Sequence, residues 1–303
     1  MLANRMVHRG LSFVPLNYGY FGGGQVPAIV STVNRIDYSN DTLAAVAKGP
    51  LSLARHELAA TGNSSFGYFG GGFPAADSIV DRIDYSNDTA TLVAKGPLSA
   101  ARFGFAATGT STFGYFGGGA APAIVSTVDR IDYSNDTATA VAKGPLSAAR
   151  YFLAATGTSA FGYFGGGKAP GIVATVVSVN YSNDTAATVA KGSLSLARQN
   201  LAATGNSSFG YFGGGYAPAA NRSTVDRVDY SNDTATAVAK GPLSAARYRL
   251  AATGNSSFGY FGGGKTISTG DRIDYSNDTA TAVAKGPLSA TRYNLAGTSH
   301  SAL

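Results

Sequence analysis

The sequence contains no cysteine and no tryptophan, and it has only three histidines. Without cysteine, the chain has no disulfide, no thiolate metal ligand and no cysteine nucleophile. His8, His56 and His300 lie outside the repeating part of the sequence, and two of them are near the ends. No serine, histidine and aspartate set or uneven carboxylate pair stands out. We therefore expect a protein that is not an enzyme and uses no cofactor.

Long apolar runs are also missing. The first ten residues have no apolar segment like that of a signal peptide, and no run approaches the roughly 18 apolar residues of a membrane helix. We expect a soluble protein without a membrane span or a classical signal peptide. The sequence does not indicate a compartment.

Glycine, in contrast, is abundant, with 40 of the 303 residues. Much of it lies in one block, Gly-Tyr-Phe-Gly-Gly-Gly, which occurs six times at intervals of 47 to 49 residues. A fixed period of this length is typical of repeat proteins, in which each copy is one supersecondary unit that packs against its neighbours. The blocks begin at Gly19, Gly67, Gly114, Gly162, Gly210 and Gly259.

Each repeat has the pattern of four short strands, and the third repeat is an example. Its strands are predicted at 102–109, 113–116, 124–133 and 137–142, separated by turns rich in Gly, Ser, Asn and Asp. A helix is the alternative for the alanine-rich pieces, but Gly and Pro interrupt each of them within about eight residues. Four antiparallel strands in a repeat of this length predict a β-propeller blade.

The order of the motifs within the repeat resembles that of a known repeat family. In the third copy a glycine block at 117–119 precedes Val-x-Arg-Ile-Asp-Tyr at 128–133, an Asp-Thr turn at 136–137 and Leu-x-x-x-Arg at 146–150. This order resembles the Kelch repeat, which implies an all-β, six-bladed Kelch-like β-propeller with four antiparallel strands per blade. Kelch repeats usually have Trp early in the fourth strand, where this chain has Ala and Thr.

We predict an N-terminal arm at 1–8, a propeller over 9–297 and a C-terminal tail at 298–303. The repeats begin near residues 9, 55, 102, 150, 198 and 247. Because a propeller ring needs its ends joined, one innermost strand must close it. Two segments, 9–14 and 295–297, compete for that position, and the sequence does not choose between them.

Charge is sparse, and its surplus lies outside the repeat pattern. Charged residues make up 13% of the chain, with a net charge of +6, but a full repeat such as the third carries three charges of each sign. Since the extra cations are scattered along the chain and form no basic stripe, we expect no nucleic-acid binding. The extra cations are Arg5, Arg9, Lys168, Arg222, Arg249 and Lys265.

The loops of the repeat differ in how much they vary. Turns after the first and third strands are nearly constant, and we name the end they form the constant face. Loops after the second and fourth strands change from copy to copy and form the variable face. We predict that the variable face binds a glycan or protein ligand, although loop tips also vary without function. The predicted ligand-binding residues are Phe73, Phe103, Tyr151, Phe152, Lys168, Tyr216, Tyr248, Arg249 and Lys265.

The fourth repeat departs most from the others. Val177, Ser178 and Asn180 replace Asp, Arg and Asp, and Ser193 replaces Pro. A less charged outer surface suits contact with another chain, so we predict a partner contact at Val177 and Ser178. Such a contact, or a free terminal strand, suits homo- or hetero-assembly. Drift between tandem copies is the alternative.

Other repeated polar residues are predicted to be structural. Lys48, Arg55 and their equivalents recur in every copy, which suits hydrogen bonds to backbone carbonyls or to the repeat aspartates. The Ser-Asn-Asp-Thr turns are the alternative as calcium sites, but each has one carboxylate beyond that of the strand and lacks the spacing of calcium loops. We predict no metal site.

The sequence therefore favours a non-catalytic module that recognises a surface glycan or protein. The amino-acid sequence of the repeat also resembles that of repetitive proteins of marine phages and bacteria, which implies a virion-associated or extracellular adhesion component. The alternative from another class is a structural subunit of a larger assembly or fibre with no small-ligand site.

Overall fold

The computed structural model describes residues 17–74 and 77–299. It confirms the all-β fold, with six four-stranded antiparallel sheets arranged as the blades of a β-propeller. Strands are counted outward from the central channel. In chain order from strand one, blade 2 contains Ala59–Gly62, Phe66–Gly72, Asp77–Asp84 and Val93–Ala94, and blade 3 contains Ala106–Gly109, Phe113–Gly117, Val128–Asp132 and Val141–Lys143.

The remaining blades repeat this arrangement. Blade 4 contains Ala154–Gly157, Phe161–Gly165, Val176–Asn180 and Val189–Lys191. Blade 5 contains Ala202–Gly205, Phe209–Gly213, Val225–Asp229 and Val238–Lys240, and blade 6 contains Ala251–Gly254, Phe258–Gly262, Thr269–Asp274 and Val283–Pro287. Two-stranded ribbons in the variable loops pair Gln25–Val26 with Ala28–Ile29, Lys168–Ala169 with Gly171–Ile172, and Tyr216–Ala217 with Ala220–Asn221.

The C-terminal segment closes the ring. In blade 1, Ala296–Ser299 is the innermost strand and pairs antiparallel with Tyr18–Gly22, with Gly19 opposite Ser299; Val33–Asp37 and Val46–Lys48 complete the sheet. The first blade is thus built from both ends of the described chain. This strand continues two residues beyond 297, where the propeller was predicted to end. The predicted arm at 1–8 and the competing segment 9–14 lie outside the described residues.

Three of the four strands of the third blade are shorter than the sequence pattern predicts, and the second is one residue longer. The Asp132 carboxylate accepts hydrogen bonds from the Ser134 amide at 2.9 Å and hydroxyl at 2.7 Å, which turns the chain into the 3-10 segment Tyr133–Asn135. The Ala140 amide then donates to the Pro97 carbonyl at 2.8 Å. Residues 137–140 therefore connect to the linker of the preceding blade, and the fourth strand begins only at Val141.

The hydrophobic core consists of layers between neighbouring blades. Between blades 1 and 2, Tyr20 packs in one buried cluster with Phe69, Ile83 and Tyr85. The glycine that follows each aromatic strand is required by this packing, because a Cβ on Gly117 would lie 2.7 Å from the Phe164 ring of the next blade. Apolar burial between blades is the main force that holds the ring together.

A polar clamp also joins each pair of neighbouring blades. Asp136 in the turn of blade 3 accepts hydrogen bonds from three side chains of blade 2. The donors are the Tyr68 hydroxyl at 3.0 Å, the Arg82 guanidinium at 2.8 Å and the Lys95 ammonium at 3.2 Å. Lys48 makes the equivalent contact with Asp88 at 3.0 Å, which confirms its predicted structural role.

The arginine that precedes each first strand is buried. Arg55 is fully buried and donates to the Gly71 carbonyl and to the Asp81 carboxylate, both at 2.6 Å. Arg102 has a similar partner in Asp129 at 3.1 Å. These contacts confirm the structural role that the repetition predicts for this arginine. Among the described residues, no helix has the length and apolarity needed to cross a membrane.

Candidate functional site

The central channel is lined by the first strands, whose small residues leave space along the axis. A narrow cavity of about 120 Å³ lies at the variable face, and a wider one of about 520 Å³ lies at the constant face. Six residues line both cavities: Ala60, Ala107, Ala155, Ala203, Ala252 and Gly297. The two ends of the channel therefore offer different surfaces to a ligand.

A closed ring of six backbone hydrogen bonds borders the channel at the variable face. The amide of each member donates to the carbonyl of the preceding member, with five N to O distances of 2.8 Å and one of 2.5 Å. The ring runs through all six blades, so it fixes the positions of six neighbouring side chains. Its members are Glu57, Gly104, Phe152, Asn200, Arg249 and Asn294.

Every member of this ring has left-handed backbone, with φ between 54° and 68°. Gly104 adopts it freely, and Asn200 and Asn294 tolerate it because Asn is enriched in this region. Glu57, Phe152 and Arg249 do not, and such backbone costs of order 1–3 kcal/mol per residue. These three alternate with the tolerant ones around the ring. Strained residues of this kind cluster at functional sites.

Further out, the structure brings together residues from separate variable loops. In five blades, the residue after the buried arginine pairs with the residue after the glycine block of the same blade. Four of these pairs include predicted ligand-binding residues: Phe73 with His56, Phe103 with Ala120, Tyr151 with Lys168, and Tyr216 with Gln199. The fifth joins Gln25 to Tyr293.

Aromatic rings from these loops contact one another across blade boundaries. Phe73 meets Phe103 edge to face, with ring centroids 5.6 Å apart, and Tyr216 lies 6.2 Å from Tyr248. Within the fourth repeat, Tyr151 and Phe152 are 4.4 Å apart. The Lys168 ammonium lies 6.0 Å from the Tyr151 ring, whereas Lys265 is an exposed residue of the blade 6 loop. The predicted residues thus form a rim of aromatic and cationic groups around the channel.

Charged groups at the ring influence one another. The Arg249 guanidinium lies 5.5 Å from the Tyr248 ring and 5.7 Å from the Tyr293 ring, and its Nε is buried with no hydrogen-bond partner. Burial raises the pKa of Glu57, and the Arg249 charge offsets part of that rise. The pKa of His56 is lowered by burial and then by the same charge. The Arg249 charge therefore acts to lower the pKa of both neighbouring groups.

Several of the ring residues were not among the predicted ligand-binding residues. Glu57, Asn200 and Asn294 occupy the same ring position as Phe152 and Arg249. One signal was available in the sequence, since Gly and Asn recur two residues after the buried arginine and both favour left-handed backbone. The ring itself depends on contacts between blades, which the sequence of one repeat does not reveal.

Four of the six surplus cations come together in the fold, and the other two, Arg5 and Arg9, lie outside the described residues. Lys168, Arg222 and Lys265 follow the second strands of blades 4, 5 and 6, and Arg249 belongs to the ring. All four therefore lie at the variable face. Its blade 4 to 6 side is the more positive one, while Glu57 and Asp77 belong to blade 2.

The predicted partner contact at Val177 and Ser178 is not supported by their positions. Val177 is fully buried and Ser178 is 4% exposed, so neither side chain is available to another chain. Val177 occupies the place of the buried aspartate that serves Arg102 in blade 3. Arg150 consequently has no carboxylate partner in the described structure, and it donates to the Thr175 carbonyl at 3.1 Å.

Metal ligands are not grouped in the part of the chain that the structure describes. Within 17–74 and 77–299 there is no cluster of three or more His, Cys, Asp or Glu suited to a metal ion. The carboxylates of the Ser-Asn-Asp-Thr turns already accept hydrogen bonds, as Asp136 does from Tyr68, Arg82 and Lys95. A calcium ion there would have to displace two cations.

Comparison with known proteins adds no relative. No model of a known protein family matches the chain, and no curated protein is significantly similar to it. The structure establishes a six-bladed β-propeller.

Proposed function

We propose that the protein is a non-catalytic binding module that recognises a surface glycan or protein through its variable face. The observation that carries the proposal is the ring at the channel mouth. Glu57, Phe152 and Arg249 are held in left-handed backbone there although Gly or Asn serves in the other three blades. Side chains that cost backbone strain are expected to be retained around the channel mouth where they contact a ligand.

The chemistry of the rim suits a polar ligand with apolar faces. Rings such as Tyr151 and Tyr248 offer flat surfaces on which the CH face of a sugar or a peptide side chain can pack. Arg249 offers guanidinium donors between two tyrosine rings, and Gln199 has a buried side-chain oxygen without a hydrogen-bond partner. A few polar groups among aromatic rings are typical of ligand sites.

We further propose that the repeats are of the Kelch type and that the protein acts on a virion or a cell surface. The buried arginine before each first strand and the glycine block after each second strand support the first part, because both have the same structural role in successive blades. The second part rests on the resemblance of the repeat to phage and bacterial proteins.

A structural subunit is the second candidate, and one observation favours it. The fourth strand is the outer edge of each blade, and it exposes a valine in all six, with exposed fractions between 53% and 61%. Exposed apolar edge strands can pair with another chain. The valines are Val46, Val93, Val141, Val189, Val238 and Val283.

A screen of the purified protein on a glycan array distinguishes the two candidates. It is run with and without calcium, with oligonucleotide spots included, and sedimentation of the same preparation measures its state of assembly. A binding module stays a discrete particle and retains particular glycans. If the protein retains no glycan and forms polymers whose size rises with its concentration, the result would contradict the proposal.

A further inference from the structure

In five of the six blades, an arginine on the third strand bridges to the next blade. In blade 3 the Arg130 guanidinium lies 4.2 Å from the Phe113 ring and donates to Oδ2 of Asp184 at 2.7 Å. The other four repeat this geometry, with ring distances of 4.0–4.4 Å and N to O distances of 2.7–2.9 Å. They are Arg35, Arg82, Arg227 and Arg272.

Blade 4 lacks this arginine but keeps its surroundings. Ser178 stands in its place, while the aromatic Phe161 and the acceptor Asp233 of the next blade remain. We call the space bordered by Phe161, Ser178 and Asp233 the blade 4 slot. Phe161 is 37% exposed, whereas the equivalent aromatic residues of the other five blades are partly buried.

The polar side of the slot is also uncovered. The Asp233 side chain is 16% exposed, whereas the aspartates at the other five clamps are 8–9% exposed. Its neighbour Lys191 is 18% exposed, compared with 11–14% for the equivalent lysines. The replacement of arginine by serine therefore leaves the side chains of Asp233 and Lys191 more exposed than their equivalents, while Ser178 at the base of the slot is 4% exposed.

Lys191 replaces only part of the contacts that the arginine makes in the other blades. In the other blades the lysine contacts Oδ1 of the aspartate at 3.0–3.2 Å, and the arginine takes Oδ2. Lys191 instead lies 3.0 Å from Oδ1 and 2.9 Å from Oδ2 of Asp233. Its ammonium shares both oxygens, but it does not cover the Phe161 ring as a flat guanidinium does.

We propose that the blade 4 slot binds an arginine side chain from a partner polypeptide. The guanidinium stacks on Phe161 and donates to Oδ2 of Asp233, and Lys191 returns to Oδ1 alone. Five internal examples define this geometry, and the negative carboxylate together with the aromatic face selects a guanidinium over a neutral group. Val189, which pairs with Ser178 and is 61% exposed, lines the approach with apolar surface for the arginine stem.

This site is separate from the variable face. It lies at the constant-face end of the boundary between blades 4 and 5, because Phe161 follows the turn after the first strand and Asp233 lies in the turn after the third strand. An assembly could therefore use it while the channel mouth binds another ligand. It also relocates the partner contact of the fourth blade. The buried Val177 and Ser178 do not themselves meet the partner, but the loss of arginine at Ser178 creates the place where the partner can bind.

The test is an NMR titration of the intact protein with Nα-acetylarginine amide, and with Nα-acetyllysine amide at equal ionic strength. The slot predicts shifts at Phe161, Ser178 and Asp233 that are larger with the arginine compound. Affinity for one isolated side chain is expected to be weak, with a Kd of roughly tens of millimolar. Equal shifts with both compounds would overturn the proposal.

Two variants make the titration specific. Ser178→Arg fills the slot with the protein's own guanidinium, so it should abolish the arginine-specific shifts and raise the unfolding midpoint by roughly 1–3 °C. Arg227→Ser is the matched control, because it creates the same slot between Phe209 of blade 5 and Asp278 of blade 6. It should gain arginine-specific shifts there. Arginine binding by this control but not by wild-type blade 4 would show that Lys191 closes the natural slot, and would overturn the proposal.

Discussion

Tyr68 in blade 2 donates its hydroxyl hydrogen to the carboxylate of Asp136 in blade 3, 68 residues further along the chain, at 3.0 Å. The same bond recurs at every blade boundary, and the last one joins Tyr260 of blade 6 to Asp41 of blade 1 at 2.8 Å. Because the bonds link neighbours all the way round, the ring is expected to unfold as one cooperative unit.

Removing one clamp carboxylate should weaken the ring according to how many donors it leaves. Asp136→Ala leaves a tyrosine, an arginine and a lysine without their carboxylate partner. We expect a loss of about 2–4 kcal/mol in the free energy of unfolding. Asp233→Ala is the matched control, since Asp233 has only Tyr163 and Lys191 as side-chain partners among the described residues. Urea unfolding measures both, and an equal loss in the two variants would contradict the clamp.

The clamp carboxylates also predict instability in acid. Burial acts to raise the pKa of Asp41, but hydrogen bonds from Tyr260 and Lys285 and the charge of Arg272 outweigh it and hold the pKa below its usual value. The pKa values of Asp184 and Asp278 are lowered in the same way.

A lowered pKa in the folded state means that the unfolded chain binds protons more tightly. The stabilisation is therefore complete above the ordinary aspartate pKa of about 3.9, and it is lost as the pH falls through the folded value. Urea midpoints should be nearly constant from about pH 5 to 8 and fall steeply below about pH 4. A steep fall that begins near pH 6 would contradict this cause.

Blade 1 offers a stabilising substitution. Asn34 stands where the other blades except blade 4 have a buried aspartate, so Arg292 is buried beside a neutral amide. Burial lowers the pKa of Arg292 to about 10. Asn34→Asp should supply the missing charge and raise the free energy of unfolding by about 1–2 kcal/mol at pH 7.

The same variant carries its own pH test. The lowered pKa of Arg292 contributes stability to the wild-type fold as the pH rises from about 10 towards the ordinary arginine value. The buried tyrosines, whose pKa values are raised, act in the opposite direction in both proteins, so the contribution of Arg292 is the difference between wild type and variant. With a carboxylate beside Arg292, that contribution should disappear. Thermal unfolding of both proteins at pH 7 and at high pH measures the difference, and a destabilised Asn34→Asp protein would show that the site rejects a second charge.

The channel ring predicts a difference between two glycine substitutions. Glu57→Gly and Asn200→Gly cost the same backbone entropy in the unfolded chain, but only the first relieves left-handed strain in a residue that disfavours it. Glu57→Gly also removes the hydrogen bond that Asn294 donates to the Glu57 carboxylate at 3.0 Å, which offsets part of the relief. We expect Glu57→Gly to be more stable than Asn200→Gly, relative to wild type, by up to about 1 kcal/mol. Urea unfolding measures both. Equal effects would remove the argument that strain marks this ring.

Most of the fold can be read from the sequence, because a period of 47 to 49 residues and a recurring glycine block leave few architectures. Ring closure could not be predicted, since 9–14 and 295–297 both stand where the repeat has its first strand and only long-range pairing distinguishes them. The channel ring likewise rests on bonds between residues about 48 positions apart, such as Phe152 and Asn200.

Burial of polar residues was the harder part of the site. An aspartate in a strand usually indicates exposure, so Asp129 and its equivalents look like surface residues until Arg102 is placed beside them. That is why Val177 suggested a less charged surface, although it replaces a buried charge. The place of Ser178 in a gap between two blades also depends on Asp233, which lies in the next repeat.

The central claim is that the variable face, and not the constant face, carries the ligand site. The most direct measurement is a glycan array that compares the wild type with two variants of equal fold content by circular dichroism. One variant has Tyr151, Phe152, Tyr248 and Arg249 changed to Ala, and the other has Ser64, Ser111 and Ser159 of the constant face changed to Ala. We predict that binding is lost in the first and kept in the second. Binding kept in the first and lost in the second would contradict the claim.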